Sequence, residues 1–243
     1  MGVITFNNIA SSTIGLQVAT FPDYSIPQRD YQVISIPGRD GDLVIDNGNY
    51  KPVKKKYEIN ISVAIQNGLT AQETFSRISN WVHSASGYAK LSDTYDSGYY
   101  MLAYYSGPAD ITNIFNEAGE GELEFTCKPR RYLNSGDTPQ TFTAAGTITN
   151  PTTHPSEPIL NITTNDTQGT VMIGNQSFTI KAGVGGHITV NSELQDAYYG
   201  TSNKNNFIVL NDGDFPKIGP GSSAISFNGG IQSVEVIPKW WTV

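Results

Sequence analysis

The 243-residue chain has one cysteine and three histidines, and each shortage removes a class of function. With Cys127 alone, an intrachain disulfide and a four-thiolate zinc site are both excluded. Cys127 continues the alternating row Leu123, Phe125, Cys127, where the thiol reads as a small buried hydrophobe rather than a nucleophile. The histidines, His83, His154 and His187, lie far apart, and the chain contains no His-Glu-x-x-His, no Gly-x-Ser-x-Gly and no P-loop. Asp40-Gly41-Asp42 and Asp212-Gly213-Asp214 look like fragments of calcium loops, but neither continues with oxygen ligands at EF-hand spacing. Tight turns are the expectation at both, with no metal and no cofactor. No apolar run approaches the ~18 residues that span a bilayer, and no basic, apolar and cleavable leader opens the sequence. Synthesis in the cytoplasm without membrane insertion is expected.

Charge is sparse too. Charged residues make up 15% of the chain, and 22 acidic against 15 basic residues leave a net −7. That balance disfavours a nucleic-acid surface, because phosphate contacts need clustered Lys and Arg. The one basic cluster is Lys51, Lys54, Lys55 and Lys56. A polyanion site there would call for interleaved aromatics, which are absent, so protection of a strand edge is the better reading.

Glycine, asparagine, serine, threonine and tyrosine are plentiful, a mixture that suits many short strands joined by turns. The fold class expected is mainly β in two domains, residues 1–133 and 134–243. The organising stretch is 34–65. From Tyr57, the residues Tyr57, Ile59, Ile61, Val63 and Ile65 point one way and Glu58, Asn60, Ser62 and Ala64 the other, the period of a half-buried strand. Upstream, Asp40-Gly41 and Asn47-Gly48 are hairpin dipeptides, so each is expected to reverse the chain and give a three-strand meander. A third strand over 51–65 would extend roughly 50 Å. Part of it should overhang as an arm that reaches a neighbouring subunit, with Pro52 and the lysines guarding its edge.

Thr70 followed by Glu73 is a capping box, and Phe75, Ile78, Val82 and Ala85, with Trp81 beside them, predict a helix lying on a sheet and closed by Gly87. Residues 99–105, YYMLAYY, read as a central strand, and 122–128 as another. Beyond a proline-rich connector at 150–158, strands are expected at 159–163, 170–173, 177–181, 187–190, 206–210, 224–228 and 233–238, the spacing of a β-sandwich. The glycine-rich segments 183–186 and 219–221 are turns, since no helix follows either to cradle a phosphate.

Several short motifs recur in a familiar order: Ile36-Pro37-Gly38-Arg39-Asp40-Gly41-Asp42-Leu43, Cys127-Lys128-Pro129 before Tyr132, Asn150-Pro151 with Ser156-Glu157-Pro158-Ile159, Ile188-x-Val190-Asn191-Ser192-Glu193, and Gly213-Asp214-Phe215-Pro216 with Pro220-Gly221. Together they resemble the distal tail protein (Dit) family of long non-contractile-tailed bacteriophages, over nearly the whole chain. The resemblance implies a non-enzymatic structural hub in the virion, at the distal tip of the tail. Six copies would form a ring through N-terminal domains carrying a β-sandwich, one helix and a projecting hairpin, with galectin-like C-terminal sandwiches facing outward. It also implies the partners: further copies of the chain, the tail tube protein, the tape-measure protein, and a tail-associated lysin or receptor-binding protein. DNA would pass through the lumen without specific binding.

On this reading the inter-subunit arm comprises Ile36, Arg39, Asp40, Asp42, Leu43, Lys51, Lys54, Lys55 and Lys56, with Lys54 to Lys56 facing acidic groups on a neighbour and the lumen neutral or acidic. The alternative is a lectin-like protein that recognises host saccharide through exposed aromatics such as Tyr198, Tyr199, Trp240 or Trp241. A glycan hydrolase is the least supported, as its carboxylate pair cannot be chosen from sequence.

Overall fold

The computed structural model describes residues 2–22, 25–60, 64, 67–107, 110–114 and 118–243. The chain divides into two compact units, Met1–Arg131 with Val243, and Tyr132–Thr242. The fold is mainly β, as the composition implies.

In the first unit, strands β1 (Ile4–Phe6), β2 (Ile9–Ala10), β3 (Gln17–Val18), β4 (Arg29–Ile34), β5 (Leu43–Tyr50) and β6 (Val53–Asn60) precede helix α1 (Ala71–Val82). Strands β7 (Ala89–Asp93), β8 (Tyr99–Tyr105), β9 (Asp110–Ile114) and β10 (Ala118–Leu133) follow it. The main sheet has the order β2-β1-β7-β8-β10-β6-β3, with β9 also paired to β10. YYMLAYY is therefore an interior strand, β8. One face of the sheet supplies Ile4, Phe6, Val53, Tyr57, Ile59, Leu91, Leu123, Phe125 and Cys127 to the core, and α1 closes over them with Ile78, Trp81 and Val82.

The helix begins as the capping box requires: the Thr70 hydroxyl accepts from the Glu73 amide, and the Glu73 carboxylate accepts from the Thr70 amide at 2.9 Å. Its buried face differs from the expected one. Phe75 is 46% exposed, while Thr74 is fully buried. Positions 74, 78, 81 and 82 form one i, i+4, i+7, i+8 stripe, and residue 75 stands one helical step outside it. Trp81 is fixed in that stripe because its indole Nε1 donates to the Ile9 carbonyl at 3.0 Å. The helix ends at Val82 with His83 as its cap, so Gly87 plays no capping part.

The three-strand meander also resolves differently. β4 and β5 pair only with each other, as a two-stranded ribbon apart from the main sheet. The reversal between them comes earlier than Asp40-Gly41: the Arg39 amide donates to the Ile36 carbonyl at 3.2 Å, closing a turn with Pro37 second and Gly38, at φ +79°, third. Proline then left-handed glycine is the chemistry of a type II turn. Asn47-Gly48 does not reverse the chain. Gly48, at φ +78°, sits in a bulge where three residues of β5 oppose one of β4, between the pairs Arg29–Tyr50 and Tyr31–Asp46. β6 starts at Val53 and pairs with β10 along its whole length, from Val53–Cys127 to Asn60–Glu120, so it does not overhang. The strand expected over 61–63 and at 65 lies outside the described residues.

The second unit is a sandwich. Its strands are β11 (Gln140–Phe142), β12 (Gly146–Asn150), β13 (Ile159–Thr164), β14 (Gly169–Ile173), β15 (Gln176–Ile180), β16 (His187–Asn191), β17 (Asp196–Tyr199), β18 (Ser202–Asn203), β19 (Ile208–Leu210), β20 (Gly221–Phe227) and β21 (Ile231–Ile237). One sheet has the order β11-β21-β13-β16-β17-β18 and the other β12-β20-β14-β15-β19. Strict alternation on β13 sends Leu160 and Ile162 inward, where they meet Val171, Phe178, Val190, Ile225 and Val236.

The helix face can be checked directly. Ile78→Ala should cost about 2–5 kcal/mol of unfolding free energy by urea titration. Phe75→Ala should stay within about 0.5 kcal/mol of the parent, and the reverse ranking would mean the helix is rotated.

Candidate interaction surface

A two-stranded ribbon has two faces and no interior. Cross-strand partners share a face, so the pairs Val33–Val44 and Ile34–Leu43 lie on opposite sides of the β4–β5 ribbon. Tyr31, Val33 and Val44 are exposed on one side, and Ile34 and Ile45 on the other. Ile36 is exposed just before the tip, Leu43 is half-buried, and Arg39, Asp40 and Asp42 are exposed around the turn. At the root, polar contacts tie the strands together: Arg29 pairs with Asp46 at 3.0 Å and lies over the Tyr50 ring, Asn47 donates to Asp30 at 3.1 Å, and Lys51 stands 3.7 Å from Asp30. An isolated ribbon is at best marginally stable in water, and here apolar side chains occupy both surfaces. The ribbon thus leaves apolar side chains in water on both of its faces.

The lysine run meets its acids within the chain, which corrects the expectation of a neighbour's carboxylates for Lys54, Lys55 and Lys56. Lys54 pairs with Glu124 at 2.7 Å, and Lys56 with Glu122 at 2.7 Å and Glu124 at 3.6 Å, all on the adjacent β10. Lys55 is in the inward row of β6, between Val53 and Tyr57, and its ammonium reaches Asp93 at 2.6 Å. The Asp93 side chain is wholly inaccessible. It also accepts from the Tyr57 hydroxyl at 2.8 Å and from the amides of Tyr95 and Asp96, each at 3.0 Å. Burial by itself would raise the Asp93 pKa. The Lys55 charge and hydrogen bond, the Tyr57 hydroxyl and the Tyr95 amide outweigh it and hold the carboxyl below its ordinary range. Sequence reading missed this cluster; the signal available was period two, which places residue 55 on the same side as 53, 57 and 59.

The proposed saccharide-facing aromatics separate. Trp240 and Trp241 are buried, Trp241 with its Nε1 donating to the Pro155 carbonyl at 3.0 Å and its ring stacked on His154 at 4.4 Å. They are core and wall, unavailable to a ligand. Tyr198 is half-buried, and Tyr199 is exposed and stacks on His187 at 5.4 Å. Among the described residues, no group of three or more His, Cys, Asp or Glu side chains could hold a metal ion.

No protein-family model and no curated protein matches the sequence. Among solved structures, the chain has the fold of the SPP1 Dit (gp 19.1) protein, described as a paradigm of the hub adsorption apparatus in phages that infect Gram-positive bacteria. The two superpose with a TM-score of 0.71 over 100% of both chains, at 11% sequence identity.

Lys55→Met should leave Asp93 buried without its counter-charge and cost about 3–5 kcal/mol near neutral pH. Because the folded-state pKa of Asp93 is depressed, its stabilising contribution is complete above the ordinary carboxylate pKa of about 4 and is lost as pH falls through the lower, folded value. The gap between Lys55→Met and the parent should therefore shrink on acidification. Urea midpoints at neutral and acidic pH measure this, and a gap that stays constant removes Asp93 from the account.

Proposed function

We propose that this protein is a structural hub of a bacteriophage tail tip, and that its β4–β5 ribbon latches each copy to the next in a closed ring of six. The observation that carries the reading is the ribbon itself, with Tyr31, Val33 and Val44 exposed on one side and Ile34 and Ile45 on the other. A ribbon on one part of a molecule and its cover on another make a heterologous contact, and such contacts close into rings when the rotation per copy allows. The shared fold with the SPP1 Dit protein supports the tail-hub reading.

On this reading the ring joins the tail tube to the host-recognition or lytic tip, meeting the tail tube protein, the tape-measure protein and a tail-associated lysin or receptor-binding protein. The arm is confined to the ribbon, with Ile36, Arg39, Asp40, Asp42 and Leu43 at its tip and Lys51 at its root. DNA passes the lumen without being held, consistent with the net charge of −7 and with Lys54 and Lys56 already neutralised by Glu122 and Glu124. The second unit is the outward-facing, galectin-like sandwich, and the half-exposed Tyr199 is the aromatic it offers to a saccharide.

Light scattering on the full chain should give six times the protomer mass. Val33→Asp with Ile45→Asp, one charge on each side of the ribbon, should yield monomers that keep the parent's far-UV circular dichroism, because neither residue is in the protomer core. A parent chain that stays monomeric at high concentration and binds glycans in titration would replace the ring with the lectin alternative.

A further inference from the structure

Beside the root of the ribbon, the first unit contains a cavity of ≈ 210 Å³. Its floor is Val53 and Met101, its walls include Ile26, Pro27 and Pro129, and its rim has Lys54, Asp96 and Arg131. Arg131 is locked to Asp96 by a bidentate pair, with Nε to Oδ2 at 3.1 Å and Nη2 to Oδ1 at 3.0 Å, so that side of the rim is rigid. Ile26 is 87% exposed at the mouth, an unusual position for an isoleucine with nothing over it.

We infer that this cavity is the receptor for the ribbon tip of a second copy, with Ile36 as the side chain that enters it. The inference rests on the ring reading above and adds the surface which that reading leaves open. Two observations select the occupant. The volume suits one or two aliphatic side chains, and the tip presents an exposed Ile36 followed by Pro37 on a tight turn.

The second observation is reach. The cavity is lined by Ser25, Ile26 and Pro27, just before β4, and by Val53, just after β5. A ribbon of one six-residue and one eight-residue strand carries its tip roughly 20–25 Å from that root. It cannot double back into the hole at its own base, so the tip that fills the cavity belongs to another molecule. Root receiving tip, repeated from copy to copy, is a heterologous contact of the kind a cyclic ring uses.

Cross-linking between engineered cysteines tests this on the full chain. The native Cys127 is fully buried, and burial pushes its thiol pKa up to about 12, so it stays silent. Under mild oxidation, the double variant Ile26→Cys with Ile36→Cys should give a ladder of covalent oligomers ending at the ring, whereas each single variant gives none beyond a dimer. Ile26→Asp alone should raise the protomer concentration at half-assembly by roughly tenfold or more. Its far-UV circular dichroism should match the parent's, because residue 26 is exposed in the protomer. If the parent assembles but the double variant gives no ladder, and Ile36→Cys instead cross-links to Arg77→Cys beside the shallow depression at Ile9, Ile14 and Trp81, the receptor is overturned and the ring stands. Failure of the parent to assemble at all overturns both.

Discussion

Apolar side chains on a β-ribbon are withdrawn from water only by something laid across them, and among the described residues nothing covers Tyr31, Val33, Ile34, Val44 and Ile45 on the ribbon of Arg29–Ile34 and Leu43–Tyr50. Most of the molecule can be understood from that constraint. The strands on either side must anchor a projection that makes no core of its own, and they do so from a sheet closed by α1 on one face. Covering the ribbon requires a second surface, which a neighbouring copy supplies in the ring proposed above. Assembly of that kind would gain about 25 cal/mol for each Å² of apolar surface removed from water.

The anchoring strand β6 shows how rigidity is supplied at the base. Its inward row is Val53, Lys55, Tyr57 and Ile59, so a cation stands among core side chains. An unpaired ammonium there would be costly, and the arrangement holds only because Asp93 meets Lys55 and also collects the Tyr57 hydroxyl and the amides of Tyr95 and Asp96. Two strands and a turn from distant parts of the chain converge on one carboxylate. That ties the strand carrying the ribbon to β7, on the far side of β8 and β10 in the sheet order.

What the sequence revealed of this depended on range. The Thr70–Glu73 capping box and the alternation on β13 are local, and the structure contains both. Phe75 was read inward because helical spacing alone allows either of two adjacent stripes; the hydrogen bond from Trp81 to Ile9, distant in sequence, selects the one through Thr74. Asn47-Gly48 was read as a reversal because left-handed glycine serves hairpin turns and bulges alike, and only the pairing register separates them. The lysine run looked like an exposed edge since Asp93, Glu122 and Glu124 lie 38 to 70 residues away from their partners. The ribbon was legible as a projection, but its extent was not: the overhang is β4 with β5, and β6 belongs to the sheet.

The bulge at Asn47-Gly48 has a chemical side. Asparagine before glycine is the dipeptide most open to succinimide closure, because no side chain shields the attacking backbone nitrogen. Here that nitrogen donates to the Asp46 carboxylate at 2.8 Å, and the Asn47 amide it would attack is held by Asp30. While the ribbon is ordered, both partners in the ageing reaction are occupied. Once it frays, conversion to aspartate would set a new carboxylate against Asp30 and Asp46 and prise the base open, so deamidation at residue 47, read by peptide mapping, keeps a chemical record of how long the ribbon has spent frayed.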